Sequence, residues 1–480
     1  MPRSRWSPGL RPLRALLASF FDRLQTRFRD RSARVASVRG PGRAFAPWVG
    51  ALIAVSANAA HAATDPGAAL AELKAATDMI WVVAAGALVF FMQAGFAFLE
   101  SGMARAKNTV NVIMKNYCDM CFGAVAFWLL GYGLMFGANP SGWLGTSAFA
   151  PHGMPEGEYG AIFFQMMFAA TSATIVSGAI AERTRFAAYI IGSVFITGVI
   201  YPVFGAWAWG GTHGGQGWLK AMGFVDFAGS TVVHAIGGWA ALAALIVVGP
   251  RLGRFGPDGE PRLIQGHNLT LVALGAFILW IGWFGFNAGS TGAATVSVGK
   301  IALNTHMGGA AGALGAMAIL TLLRRRVLLT STLNGSIAGL VGVTAGCHVM
   351  EPMFALLTGA VAGVLSVLAA DVLDALRIDD VVGAVSVHVV GGVWGTLAAG
   401  LFHSGDLFNP ARVGVQLLGC VVAFGWGFGG SLLMYWLLDK VMPLRASTLD
   451  EQRGLDFTEH HELGYPEFQQ EAVHRGVHHG

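Results

Sequence analysis

Apolar residues in this chain fall in runs of about twenty, separated by short charged or Gly/Pro-rich breaks. At about 1.5 Å of rise per residue, a helix of that length crosses about 30 Å of hydrocarbon. Eleven such runs predict helices near 77–100, 112–136, 159–181, 186–208, 227–249, 267–288, 301–323, 332–349, 352–373, 384–403 and 413–439. The expected fold class is an all-α polytopic membrane protein with eleven transmembrane helices.

Composition sharpens this picture. Charged residues make up 12% of the chain, about half the share in a soluble domain. The 67 glycines fit helices whose backbones approach closely in lipid. Net charge is +4, but residues 1–62 hold eleven Arg and two Asp, or +9, which leaves −5 for the remainder. The basic balance is therefore local and gives no support for nucleic-acid binding. An Arg-rich start, an apolar run near Pro47–Ser56 and small residues ending at Ala62 read as a cleaved signal peptide. Expected domains are a leader (1–62), a membrane domain (63–440) and a C-terminal tail (441–480).

Lys and Arg sort by loop parity. Fourteen fall on one side, among them Arg105, Arg183, Arg251, Arg325 and Arg445; Lys74, Lys220, Lys300 and Arg412 fall on the other. The excess of positive charge predicts the cytoplasmic side. The mature N-terminus is then outside and the C-terminus inside, in the inner (plasma) membrane of the cell.

An internal repeat supports the helix count. Val-His234-Ala-Ile-Gly-Gly-Trp in the fifth run matches Val-His388-Val-Val-Gly-Gly-Val-Trp in the tenth. Runs 1–5 and 6–10 read as two five-helix halves, with a peripheral eleventh helix. Five is odd, so the halves have inverted topology, which usually puts a substrate path at their interface. A membrane-buried histidine is costly unless it faces a partner or a cavity. Two at equivalent positions would face each other across the pseudo-two-fold axis and share a hydrogen bond. Separate packing roles are the alternative.

Asp226 opens the fifth run, where a carboxylate caps free N–H groups or stabilises an arriving cation. Phe168, Tyr201, Trp207, Trp209, Trp283 and Phe286 serve as interface anchors or as a cage for a small cation; composition alone favours anchors. Glu100, Asp119 and Asp371 are expected to be satisfied inside the bundle. Asp379 and Asp380 read as caps of the tenth helix. The Cys118/Cys121 pair lies in an apolar helix with no second pair nearby and reads as packing. No metal cluster, cofactor or nucleotide fingerprint is present.

The segment from Asp226 to Arg251 resembles the diagnostic stretch of the ammonium transporter/methylammonium permease/Rhesus family. Residues 98–108, 163–168, 281–290 and 383–388 resemble further blocks of that family in order, so the likeness runs from about 75 to 465. The resemblance implies a homotrimer with one pore per subunit. It implies ammonium or ammonia as substrate, with methylammonium as a candidate, and no cofactor. Phe168, Trp209 and Ser290 would form an outer recruitment site, with Gln165, Tyr201 and the supporting carboxylate of Asp226 nearby. Phe168 and Phe286 would form the gate. His234, His388 and Trp283 would line the pore.

The tail 454–465 resembles the family segment that couples subunits and meets PII-type regulatory proteins. Here His461 replaces a usual Gly, Gly464 a usual Ala, and Val389 a common Gly; loop 210–225 is long. A sensor on the same fold would carry a signalling domain after its last helix. A Rhesus-like gas channel would lack the pairing of Trp209 and Ser290. A Ser/His hydrolase is disfavoured because Ser290 lacks a Gly-Xaa-Ser-Xaa-Gly elbow.

Overall fold

The computed structural model of the chain describes residues 66–467. The predicted leader and the tail beyond 467 lie outside them. The chain divides into units Met1–Lys74 and Ala75–Gly480. Of the first, only the opening turns of the first helix are described; the helical bundle belongs to the second.

Each predicted run is helical. In chain order α1 is Pro66–Met103, α2 is Thr109–Ala126 continued by a π-turn and Tyr132–Phe136, α3 is Glu156–Ala179, and α4 is Phe186–Ala208. Next come α5 (Ser230–Val248), α6 (Leu269–Gly289), α7 (Ser297–Leu322) and α8 (Leu329–Thr344). Then come α9 (Pro352–Ala375), α10 (Val385–Leu401) and α11 (Pro410–Val441). Two short tail helices close the described chain, α12 (Thr448–Arg453) and α13 (Leu455–His460). Among the described residues, nine helices are long and apolar enough to span a membrane, and α10 is a shorter apolar helix. Side chains such as Leu130, Phe277, Leu314 and Leu433 stay exposed on the outer faces, as expected where lipid is the solvent.

In lipid, helices associate by close packing rather than by hiding apolar area from water. A glycine stripe on α7 (Gly308, Gly312, Gly315) lies against backbone of α8 and α9, leaving no room for a Cβ at the facing Gly339, Gly359 and Gly363. Helix starts obey local chemistry. Asn268 accepts from Thr270 N and Leu271 N at 3.1 Å, and Asn409 caps α11 just before Pro410.

The bundle has two ends. One, the tail face, carries loops 180–185 and 249–266 together with the docked tail. Here the structure corrects one expectation: Asp380 is a cap, but Asp379 is an ion-pair hub. Asp379 accepts from Arg251 Nε (2.8 Å), Nη2 (2.9 Å) and N (2.9 Å), and from Arg254 Nε (3.2 Å). Buried Glu182 holds Arg251 Nη1 (2.7 Å), Asn108 Nδ2 (3.1 Å) and the Arg105 side chain. Burial raises the Asp379 carboxyl, but hydrogen bonds from Arg251 and the charges of Arg183 and Arg251 outweigh it and hold it below the usual carboxylate range.

The tail docks here. Glu451 accepts from Leu252 N (2.6 Å) and Arg445 Nη2 (2.7 Å), and Asp456 from Asn111 N (2.8 Å). Gly454 has φ 105°, and a Cβ on it would meet the Lys107 carbonyl at 2.6 Å. His461 ends α13 at φ 55°, a left-handed conformation that glycine enters without strain. The histidine therefore carries backbone strain that a glycine would not.

The Cys118/Cys121 reading needs adjustment as well. Both are free, Cys118 half-buried and Cys121 exposed, so only the first contributes to packing.

Two outcomes are expected. Asp379→Asn removes the charge opposite a buried guanidinium and should cost about 3 kcal/mol in thermal unfolding. Because the folded carboxyl sits below its unfolded value, its contribution is full above about pH 4 and fades as pH falls further; the variant should lose that acid limb. His461→Gly should relieve about 1 kcal/mol of backbone strain, read as slower proteolysis of the tail.

Candidate functional site

At the end opposite the tail face a cavity of about 480 Å³ opens between α1, α3, α6 and the loop after α4. Its lining includes Phe164, Gln165, Phe168, Trp209, Phe227 and Ser290. Four of the sequence-expected recruitment residues thus meet at one mouth, Trp209 among them despite the long loop after it. Tyr201 is not part of that lining: it is fully buried on α4 with its ring 6.1 Å from Phe127. Trp207 likewise lies apart, packed with Trp143 (5.6 Å) and Trp426 (5.7 Å).

Mouth polarity is set by prior commitments. The Ser290 hydroxyl donates to the Phe286 carbonyl at 2.9 Å, leaving its lone pairs as acceptors. Trp209 Nε1 donates to the Asp226 carbonyl at 2.6 Å, so the indole is held while its face is left for other contacts. Phe168 and Trp209 meet edge-on at 6.3 Å. Electron-rich ring faces beside a hydroxyl acceptor suit a small cation with N–H donors.

Beneath the mouth an aromatic column descends. Phe168 and Phe286 stack at 4.0 Å and 15°. His234 stacks below Phe286 at 5.3 Å, and on Trp283 at 5.0 Å. His388 comes next at 5.3 Å and 23°, with Nδ1 of the two imidazoles 3.2 Å apart. Phe96 lies 6.5 Å beyond. Both histidines are buried. One Nδ1 carries the proton and the other accepts it, which leaves each Nε2 for other contacts.

Each histidine sits in a π-turn, Ser230–Ala235 and Val385–Val389, of the kind that often re-aims a functional side chain. Each turn is capped by an aspartate eight residues before its histidine. Asp226 accepts from Gly229 N (3.0 Å), Thr231 N (2.9 Å) and Val232 N (2.8 Å). Asp380 accepts from Gly383 N (3.1 Å), Ala384 N (2.9 Å) and Val385 N (2.7 Å). Burial pushes the Asp226 carboxyl up to about 6 against the pull of these donors. Gly229, at φ 109°, makes the turn possible; a Cβ there would strike Val233 at 2.6 Å.

The two turns touch reciprocally. A Cβ on Gly238 would meet Val389 Cγ2 at 2.7 Å, and one on Gly392 would meet the Ala235 Cβ at 3.2 Å. The histidines are 154 residues apart; 392 − 238 and 389 − 235 give the same separation. Val389 is thus taken up in this packing. Sequence reasoning missed Phe164 and Phe227 at the mouth, Phe96 below the pair, and Thr344, which accepts from Trp283 Nε1 at 2.9 Å. Phe227 directly follows Asp226, and the repeated Asp-to-His spacing of eight was available as a signal.

The model of the Ammonium Transporter Family matches residues 80–465. Ammonium transporter Amt2 of Archaeoglobus fulgidus is 44% identical over 419 residues, covering 82% of this chain and 88% of its own. A putative ammonium transporter of Synechocystis is 43% identical over 428 residues, covering 86% and 94%. Among solved structures, one titled Sensor Amt Protein superposes with TM-score 0.79 at 40% identity, covering 81% of this chain and 99% of its own. Mep2 of Candida albicans superposes with TM-score 0.71 at 28% identity, covering 78% and 87%.

The two caps make a symmetric test. Asp226→Ala and Asp380→Ala should each cost about 2 kcal/mol in thermal unfolding, because each strands buried N–H donors. Asn at either position keeps an acceptor oxygen and should recover about half. A large loss at one site with none at the other would contradict the equivalence.

Proposed function

We propose, given that this chain belongs to the Ammonium Transporter Family, that it gathers ammonium at the aromatic mouth and removes one proton. Ammonia then passes down the histidine column while the proton travels separately, so that uptake is electrogenic. The coarser facts stand on their own: this is a multi-pass membrane protein of a transporter family. The observation that carries the finer reading is the unbroken stack Phe168–Phe286–His234–His388, closed above by two phenyl rings and polar only where the imidazoles meet.

Ammonium and potassium are close in size and charge, so a cage selects weakly between them. Phe168 and Trp209 attract either cation, whereas the Ser290 lone pairs and the Gln165 carbonyl favour one that donates N–H bonds. Gln165 Oε1 is buried without a partner, as an acceptor waiting for such a donor would be. Below the gate a bare cation meets hydrocarbon-like surroundings, and its charge becomes prohibitive. Ammonium escapes by losing a proton; potassium cannot. Neutral imidazoles then line the path of a neutral molecule and accept or release protons in turn.

The finer architecture belongs to the same reading: eleven spans in two inverted five-helix halves plus α11, a homotrimer, the N-terminus outside after signal cleavage, and the tail in the cytoplasm. The reciprocal contacts of the two histidine turns support the paired halves, and the sorting of Lys and Arg supports the sidedness. Tail docking beside α2 leaves a surface that a PII-type regulator could engage.

A second reading, an ammonium sensor on this fold, is favoured by the solved chain titled Sensor Amt Protein, which this chain covers almost end to end. One experiment separates the two. Purified protein in liposomes on a supported membrane receives ammonium, potassium and sodium pulses. An ammonium-selective current that falls at least about tenfold on His234→Ala supports transport through this column. Currents of wild-type size with both histidines apolar would overturn the proton role. Saturable ammonium binding without current would favour the sensor.

A further inference from the structure

Glu100 lies near the end of α1, inside a membrane-spanning segment, and is 1% exposed. None of the ion pairs among the described residues involves it. Its Oε2 accepts a hydrogen bond from Asn116 Nδ2 at 2.9 Å. That amide also donates to the Val112 carbonyl at 3.0 Å, so it does not depend on an acid for satisfaction. A glutamine at position 100 would fill the same space and bridge α1 to α2 equally well. An ionisable group at membrane depth is costly, and packing alone gives no account of this one.

Its surroundings point to a use. The carboxyl carbon lies beside Gly178, with Val382 close by: a Cβ on Gly178 would come within 2.9 Å of Glu100 Cδ and 2.6 Å of Val382 Cγ2. Val382, Glu100, Leu99, Phe96 and His388 share the wall of a small cavity on the tail-face side of the histidine pair. Its volume is about 20 Å³, room for a single water. One water between a carboxyl and an imidazole suffices for proton exchange. The other titratable groups beside Glu100 are Lys115 and Asp119 on α2 and Tyr189 on α4: Lys115 Nζ donates to the Thr184 carbonyl at 3.1 Å, and Asp119 is paired with the Tyr189 hydroxyl. Each has its own partner, which leaves Glu100 as the acid that faces the cavity.

We propose that Glu100 is the proton-holding group at the inner end of the pore, exchanging its proton with His388 and delivering it to ammonia as ammonia leaves. The inference rests on the transport reading above. The protons balance. At the mouth, ammonium gives one proton to the imidazole pair and becomes ammonia. At the exit, the Glu100 carboxylic acid gives its proton to ammonia, forming ammonium and a carboxylate. The carboxylate is then reprotonated from the imidazolium through one water, and the pair returns to neutral.

The test uses the full chain in liposomes with Glu100→Gln and Glu100→Asp. Glu100→Gln should lower the initial ammonium current at least about tenfold while the half-saturating concentration stays within about twofold. Glu100→Asp should keep a substantial part of the current and shift its dependence on tail-side pH. Infrared difference spectra on an ammonium pulse should show a carboxyl proton change in wild type that is absent in Glu100→Gln. A Glu100→Gln protein with wild-type current across about pH 5 to 8, or no carboxyl change assignable to Glu100, overturns the proposal. Absence of current in wild type would instead overturn the transport reading, and the infrared result would still decide whether Glu100 exchanges a proton. Should Glu100→Gln fail to fold, Glu100→Asp carries both readouts.

Discussion

An imidazole in the middle of an apolar bundle has nowhere to put its hydrogen bonds except on another group buried with it, and this constraint orders the rest of the structure. His234 and His388 meet it by using each other, Nδ1 to Nδ1 at 3.2 Å. The arrangement works only if one Nδ1 carries a proton, the other does not, and both backbones are held still, because a shift of an ångström would strand a polar nitrogen at a cost of about 1–3 kcal/mol. The aromatic rings above and beside the pair are the means of holding them: Trp283 and Phe286 confine His234, and Trp283 is itself fixed through Thr344.

The same economy appears in the backbone. Two turns that resemble each other in sequence are wound the same way, capped the same way and pressed together so that each supplies the glycine on which the other rests. The mouth is coupled to this core through the backbone as well as through the ring stack. Asp226 caps the first turn with its carboxylate and holds Trp209 with its carbonyl. A change at the aromatic mouth is therefore felt by the helix that carries the first histidine.

Much of this was legible in the sequence because lipid makes the code simple: an apolar run must be a helix, and a polar residue within one must have a reason. Hence the helices and the facing histidines could be read before any coordinates. Side-chain aim was less legible. Tyr201 and Trp209 lie in the same aromatic-rich stretch, yet Trp209 lines the mouth and Tyr201 turns to Phe127; a π-turn at Ile196–Ile200, which no periodicity announces, lies just before Tyr201. Asp379 and Asp380 are adjacent and read alike, but the chain entering α10 turns one toward free N–H groups and the other toward Arg251. The left-handed conformation of His461 is another feature that sequence alone does not reveal, because a histidine there gives no sign of a positive φ.

The histidine pair is held in register by the stitching of α5 to α10. The two helices run in opposite directions past each other, so the end of one lies beside the start of the other. Near the mouth, Thr231 and Thr396 share a hydrogen bond. At mid-depth the imidazoles meet. On the tail face, Arg251, just beyond α5, is gripped by Asp379, just ahead of α10. Three polar joints along one helix pair leave little freedom for sliding or rotation, and each is buried, where breaking it costs most. Glu182 joins the last of these joints to Arg105 and Asn108, and Asn108 in turn accepts from Leu455 N of the docked tail. A continuous chain of hydrogen bonds thus runs from the tail to the helices that hold the histidines, so displacing the tail removes a support of the histidine pair without touching the pair itself.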